Sequence, residues 1–164
     1  MNQFNMQLEL QHIYLEVYNE RFHNLKEYCE AYYCYKHNLV TRHGKPDWLG
    51  IFTTANYSLK AQQCSNRKLL SRDLWLPMTV IIGQLKAFVR DDHATIANIQ
   101  DLLDAQLDYV IVTREEYKRL VNKGLDKSMP KAYYQVGHSD HLNAMARFET
   151  VGITFAWCCI TVTS

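Results

Sequence analysis

The chain has 164 residues, 48% of them apolar and 21% charged, with a formal net charge of +1. That length buries a core without help from a metal or a disulfide. The balance excludes intrinsic disorder, which needs lower hydropathy and a larger net charge, and argues against a dedicated nucleic-acid domain, which is usually far more basic. The five cysteines, Cys29, Cys34, Cys64, Cys158 and Cys159, are odd in number. The segment Met1 to Leu10 lacks the basic start and apolar run of a signal peptide, and no apolar stretch approaches the roughly 20 residues of a membrane span. Free thiols, a cytoplasmic location and no membrane contact are therefore expected. The 11 tyrosines, each with an apolar ring and a polar tip, suit interfaces and half-wet cores.

Asn5 to His37 contains no Gly or Pro and reads as one long helix, or two with a bend. Leu8, Leu15, Phe22 and Cys29 recur every seven residues. Tyr18, Leu25 and Tyr32 recur at the same interval, three residues later, with Gln11 at the earliest position of that second set. This is a heptad stripe, and Leu10, Ile13 and Val17 widen it. A core helix is the simpler reading. A helix shared with a second copy of the chain is the sharper one, with Leu8, Leu15, Tyr18, Phe22, Leu25 and Tyr32 at the interface.

Gly44-Lys45-Pro46-Asp47 is turn chemistry. Trp48 to Tyr57, rich in aromatic and β-branched residues, predicts a strand or hairpin. Lys60 to Arg72 predicts a loop or short helix. Pro77 opens a helix with Val80, Ile81, Leu85, Phe88 and Val89 on one face. Thr95 caps the next, whose face is Ile96, Ile99, Leu102 and Leu103. Tyr109-Val110-Ile111-Val112 is a buried strand, and Thr113-Arg114-Glu115-Glu116 a capping box for a helix that stops at Gly124. Ala132 to Val136 predicts a strand, and Ser139 or Asp140 a cap for a short helix through Arg147. The uncharged, β-branched run from Val151 to Val162 predicts an interior strand. The fold expected is one mainly helical α+β domain over residues 1–164, with a long N-terminal helix and a small sheet that includes strands near 109–112 and 151–162.

Charge is uneven along the chain. His37 to Arg90 holds eight bases and two acids, whereas Asp91 to Val112 holds five acids and no base. In the basic stretch Arg42, Lys45, Arg67, Lys68 and Arg72 are interleaved with Trp48 and Trp75, the mixture of cations and stacking rings that single-stranded nucleic acid requires. The loop His138-Ser139-Asp140-His141 puts two imidazoles and a carboxylate within four residues, groups able to shuttle protons or bind a transition metal near neutral pH.

Two Glu-x-x-His pairs, Glu9 with His12 and Glu20 with His23, stand about 16 Å apart along a helix, too far to share one dinuclear centre. Cys29 and Cys34 fall on different helix faces, and the adjacent Cys158 and Cys159 on opposite faces of a strand. No phosphate loop, nucleophile elbow or Cys-x-x-Cys pair is present, and neither cofactor nor metal is expected. The leading functional reading is a non-enzymatic, homo-oligomeric binding protein with a protein partner. Single-strand nucleic-acid binding through the basic stretch, and a small metal-dependent or acid–base hydrolase using His138, Asp140 and His141, are the alternatives.

Overall fold

The N-terminal stripe folds as two helices, α1 (Asn2–Tyr18) and α2 (Leu25–Lys36), joined through a 3-10 turn at Phe22–Asn24. These coordinates are a computed structural model that describes residues 2–156. The break between the helices needs neither Gly nor Pro. Glu20 adopts a left-handed backbone, its N–H bonding to Val17 O at 3.0 Å, and the Arg21 N–H bonds to Glu16 O at 2.8 Å. This is a Schellman stop. Arg21 also returns its guanidinium to the Glu16 carboxylate at 2.5 Å.

The expected strand or hairpin over Trp48 to Tyr57 is replaced by a helical turn, α3 (Ile51–Thr54), and a two-residue strand, β1 (Asn56–Tyr57). Asp47 is the cause. Its side chain accepts the Leu49 N–H at 3.1 Å and its carbonyl accepts the Gly50 N–H at 3.0 Å, so the backbone is already turning when it reaches Ile51. The segment expected to be a loop or short helix holds a short helix, α4 (Leu59–Gln62), and also the start of an unexpected strand, β2 (Leu70–Leu74). Only the two end residues of β2 are buried, which hides the strand from a pattern search.

Then come α5 (Met78–Arg90), α6 (Ile96–Gln106), β3 (Tyr109–Thr113) and α7 (Arg114–Asn122). Thr95 caps α6 through the Asn98 N–H, and the Thr113–Glu116 capping box is complete. β3 lies at the centre of the sheet, with β1 parallel on one side and β2 antiparallel on the other. Tyr109 packs into a core shared with α1, α2, α5 and α6, while Val110 and Val112 face Leu120, Phe148, Ile153 and Phe155.

The strand expected at Ala132 to Val136 is a 3-10 turn, Lys131–Tyr134, closed by the Tyr133 N–H on Pro130 O. The helix expected to start at Ser139 or Asp140 starts only at Ala146 (α8, Ala146–Thr150), because Leu142 takes a positive φ and interrupts any earlier helical run. Of the C-terminal strand, the described part forms a single bridge between Ser58 and Phe155; residues 157–162, with Cys158 and Cys159, lie outside the described residues. No helix among the described residues is long and apolar enough to cross a membrane.

Candidate functional site

Among the described residues, two places stand out as candidate sites. The first is the outer face of α1. Its inner face buries Leu10, Ile13 and Val17 completely. Phe4, Leu8, Leu15 and Tyr18 remain 71%, 38%, 51% and 64% exposed, with Gln11 exposed between them. Each of Leu8, Gln11 and Leu15 precedes a buried position by two residues, about 200° around the helix. The apolar stripe therefore lies opposite the buried one. A helix that is apolar on two opposite faces has normally buried both. The only charges on α1 are Glu9, in contact with His12 at 3.2 Å, and Glu16, held by Arg21.

The Schellman stop divides the predicted interface set. Leu8, Leu15 and Tyr18 stay on the outer face of α1. Leu25 and Tyr32, beyond the break, are spent inside the chain's own core, and Phe22 is half-buried against it. Tyr32 also donates to Asp104 at 2.6 Å.

The second place is a cleft of about 290 Å³ along the open edge of β2. Glu30 and Lys26 reach it from α2, Arg72 and Asp73 from β2, and Tyr109 from β3. Tyr117, the first turn of α5 and the Asp126–Lys127 loop close the other side. Two of its three carboxylates are already committed. Glu30 accepts from Arg72 at 3.1 Å, and Asp73 accepts from the fully buried Arg147 at 2.9 Å. Burial pushes the Asp73 carboxyl upward and Arg147 pulls against it.

Tyr109 is only 3% exposed, yet its hydroxyl has no hydrogen-bond partner among the described residues. Burial first, and then the charge of Glu30, raises its pKa well above that of a free phenol, so the group is an O–H donor. Nothing in the sequence pointed to this cleft, because its residues come from six separated segments. Pro77 was the nearest signal. It sits at the N-cap of α5, where it supplies no side-chain cap.

The basic, aromatic set does not form one surface. Arg72 is held by Glu30 and by Trp48 O, and Trp75 packs in the core on Phe148 and Phe155. Arg67 lies over the Phe52 ring at 4.0 Å, with Lys68 exposed beside it in sequence. Arg42 and Lys45 are exposed in the turn between α2 and α3, and Trp48 is exposed just after it.

In the histidine loop, His138 Nδ1 accepts the Asp140 N–H at 3.0 Å and lies 3.8 Å from the Asp140 carboxylate. Both of these side chains face solvent, and His141 is half-buried. His93 lies in the α5–α6 connection, exposed. Among the described residues no three His, Cys, Asp or Glu side chains are grouped to hold a metal ion. Comparison with known proteins gives no match to a family model, to a curated protein or to a solved structure.

Proposed function

We propose that this chain is a non-enzymatic binding protein that works as a homodimer, with the outer face of α1 as the self-contact. One observation carries the reading. The exposed stripe runs aromatic, Leu, Gln, Leu, aromatic (Phe4, Leu8, Gln11, Leu15 and Tyr18) and is nearly a palindrome about Gln11.

At 1.5 Å per residue, Phe4 and Tyr18 each stand about 10 Å from Gln11 along the axis, and Leu8 and Leu15 about 5 and 6 Å. An antiparallel, twofold pairing centred on Gln11 therefore sets rings beside rings, leucines beside leucines, and one primary amide against its symmetry mate. A twofold contact must be self-complementary in this way. Because both charges of α1 are already partnered, no like charges meet across the axis. A different partner would have no reason to select a symmetric stripe.

The test is the molar mass in solution by light scattering over a range of concentrations. The expected result is a dimer of the 19.3 kDa chain, converted to a monomer by Leu8→Glu with Leu15→Glu. Those side chains are exposed within the chain, so the thermal stability of the monomer fold should hold. A wild-type protein that stays monomeric at the highest concentrations would defeat the proposal. So would a dimer that survives both substitutions, since its contact would then lie elsewhere.

A further inference from the structure

The cleft beside β2 has an excess of unused donors. The Met78 and Thr79 N–H groups, the first two of α5, have no partner among the described residues, because Pro77 at the N-cap offers no side-chain acceptor and the Val80 and Ile81 N–H groups take the Pro77 carbonyl. The buried Tyr109 hydroxyl has none among them either. Tyr117, Lys26 and Lys127 also line the cleft and make no side-chain hydrogen bond or ion pair with any described residue. On the acceptor side, Glu30 and Asp73 are engaged by Arg72 and Arg147, leaving the Asp126 carboxylate as the lining acid without a partner among the described residues. A helix start with free amides is a ready anion seat, and an orphaned buried hydroxyl on a residue that lines the same cleft is a separate observation that calls for a partner.

We infer that the cleft binds a small polar molecule through a terminal oxyanion, a phosphate or a carboxylate, which takes the Met78 and Thr79 amides and the Tyr109 hydroxyl. Lys127 and Lys26 supply countercharge, and Asp126 accepts from a hydroxyl or amine elsewhere on the same molecule. A volume of about 290 Å³ suits a single small metabolite. The seat is independent of the self-contact on α1.

The experiment is a titration of the whole chain with inorganic phosphate and, separately, with acetate, following the Met78 and Thr79 amide resonances. Saturable shifts are expected, and the tighter of the two anions identifies the oxyanion. Tyr109→Phe should weaken that binding about tenfold, the loss of one hydrogen bond to an anion. It should leave the melting temperature unchanged or raised, since the deleted hydroxyl has no intramolecular bond. Shifts that never saturate, or that saturate equally in Tyr109→Phe, would mean an adventitious anion at a helix end and would overturn the inference.

Discussion

Arg147 carries its charge at 0% exposure, and four acceptors account for it. Its guanidinium donates to Trp75 O at 3.1 Å, to Leu125 O at 2.7 Å, to the Leu74 carbonyl and to Asp73 at 2.9 Å, and it lies 4.4 Å over the Phe148 ring. The acceptors come from β2, from the segment after it and from the segment after α7. One side chain thus fastens three stretches that share no backbone ladder at that point. A planar fork of donors is what this site uses, and an ammonium cannot reproduce it. Arg147→Met leaves Asp73 and three carbonyls without their donor, and should cost about 3–5 kcal/mol. Arg147→Lys should recover less than half of that. Urea denaturation of the two variants measures both. A lysine variant within about 1 kcal/mol of the wild type would show that charge, and not the fork, is what the site requires.

At the scale of elements, the join between β3 and α7 is fixed by one carboxylate oxygen. Glu116 Oε2 accepts the Thr113 N–H at 2.8 Å and the Ser58 hydroxyl at 2.7 Å, and Ser58 Oγ in turn accepts the Ala61 N–H that starts α4. The starts of two helices therefore depend on a single buried acid. Thr113→Ala removes one cap bond and should cost about 1 kcal/mol. Glu116→Ala orphans the Thr113 N–H and the buried Ser58 hydroxyl together and should cost about 2–4 kcal/mol. Equal losses from the two, in thermal or urea melts, would mean that Ser58 is satisfied without Glu116.

The Thr113 half of this network was legible in the sequence, because a capping box and its apolar strand are local patterns. The Ser58 half was not, since the two residues stand 58 positions apart. The same division explains the other outcomes. α6 and α7 announce themselves by caps and a one-sided apolar period, α5 by its opening proline and apolar face, and β3 by a continuous β-branched run. β2, with Ser71, Arg72 and Asp73 between its buried ends, lacks any period. The segment at Trp48 carries strand-forming residues that the Asp47 turn overrides. The heptad was visible too, and so was the option of a bend in it, but not where the bend falls: Glu20 does at the end of α1 what a glycine would ordinarily do, so the outer and inner halves of the stripe could not be told apart before the chain was folded.

For the molecule as a whole, the largest core carries six ionisable groups that stay neutral, two thiols and four phenols, Tyr133 among them. Burial first, helped by the charge of Glu30, pushes the Cys29 thiol from its ordinary 9.0 up to about 12. Cys34 rises to about 12 as well, again through burial, with Arg72 opposing and Glu30 and Asp47 assisting. Tyr32, Tyr33 and Tyr109 are raised above the ordinary phenol value of 10.0, in each case chiefly by burial. Tyr32 and Tyr33 are further held as donors by Asp104 and Asp108. The sign of the consequence follows from proton linkage. Above pH 9 the unfolded chain releases the thiol protons while the folded chain keeps them, so stability must fall as pH rises. What these groups contribute is fully present below the unfolded values and is lost as pH climbs toward the folded ones. The thiols act first, from about pH 9 to 12, and the phenols follow from about pH 10 upward. For the fully buried Cys29 the limiting slope is about 1.4 kcal/mol per pH unit. Urea midpoints measured from about pH 8 to about pH 11 should therefore decline, with the decline steepening once the phenols join in. A Cys29→Ala, Cys34→Ala variant should lose the first part of that decline and keep the second, because the core described then has its tyrosines, and no longer these two thiols, to release protons on unfolding. A wild-type midpoint that is flat between about pH 9 and about pH 10 would mean that the core admits solvent to its thiols, and the close packing of α1, α2, α5 and α6 around Cys29 would have to be given up.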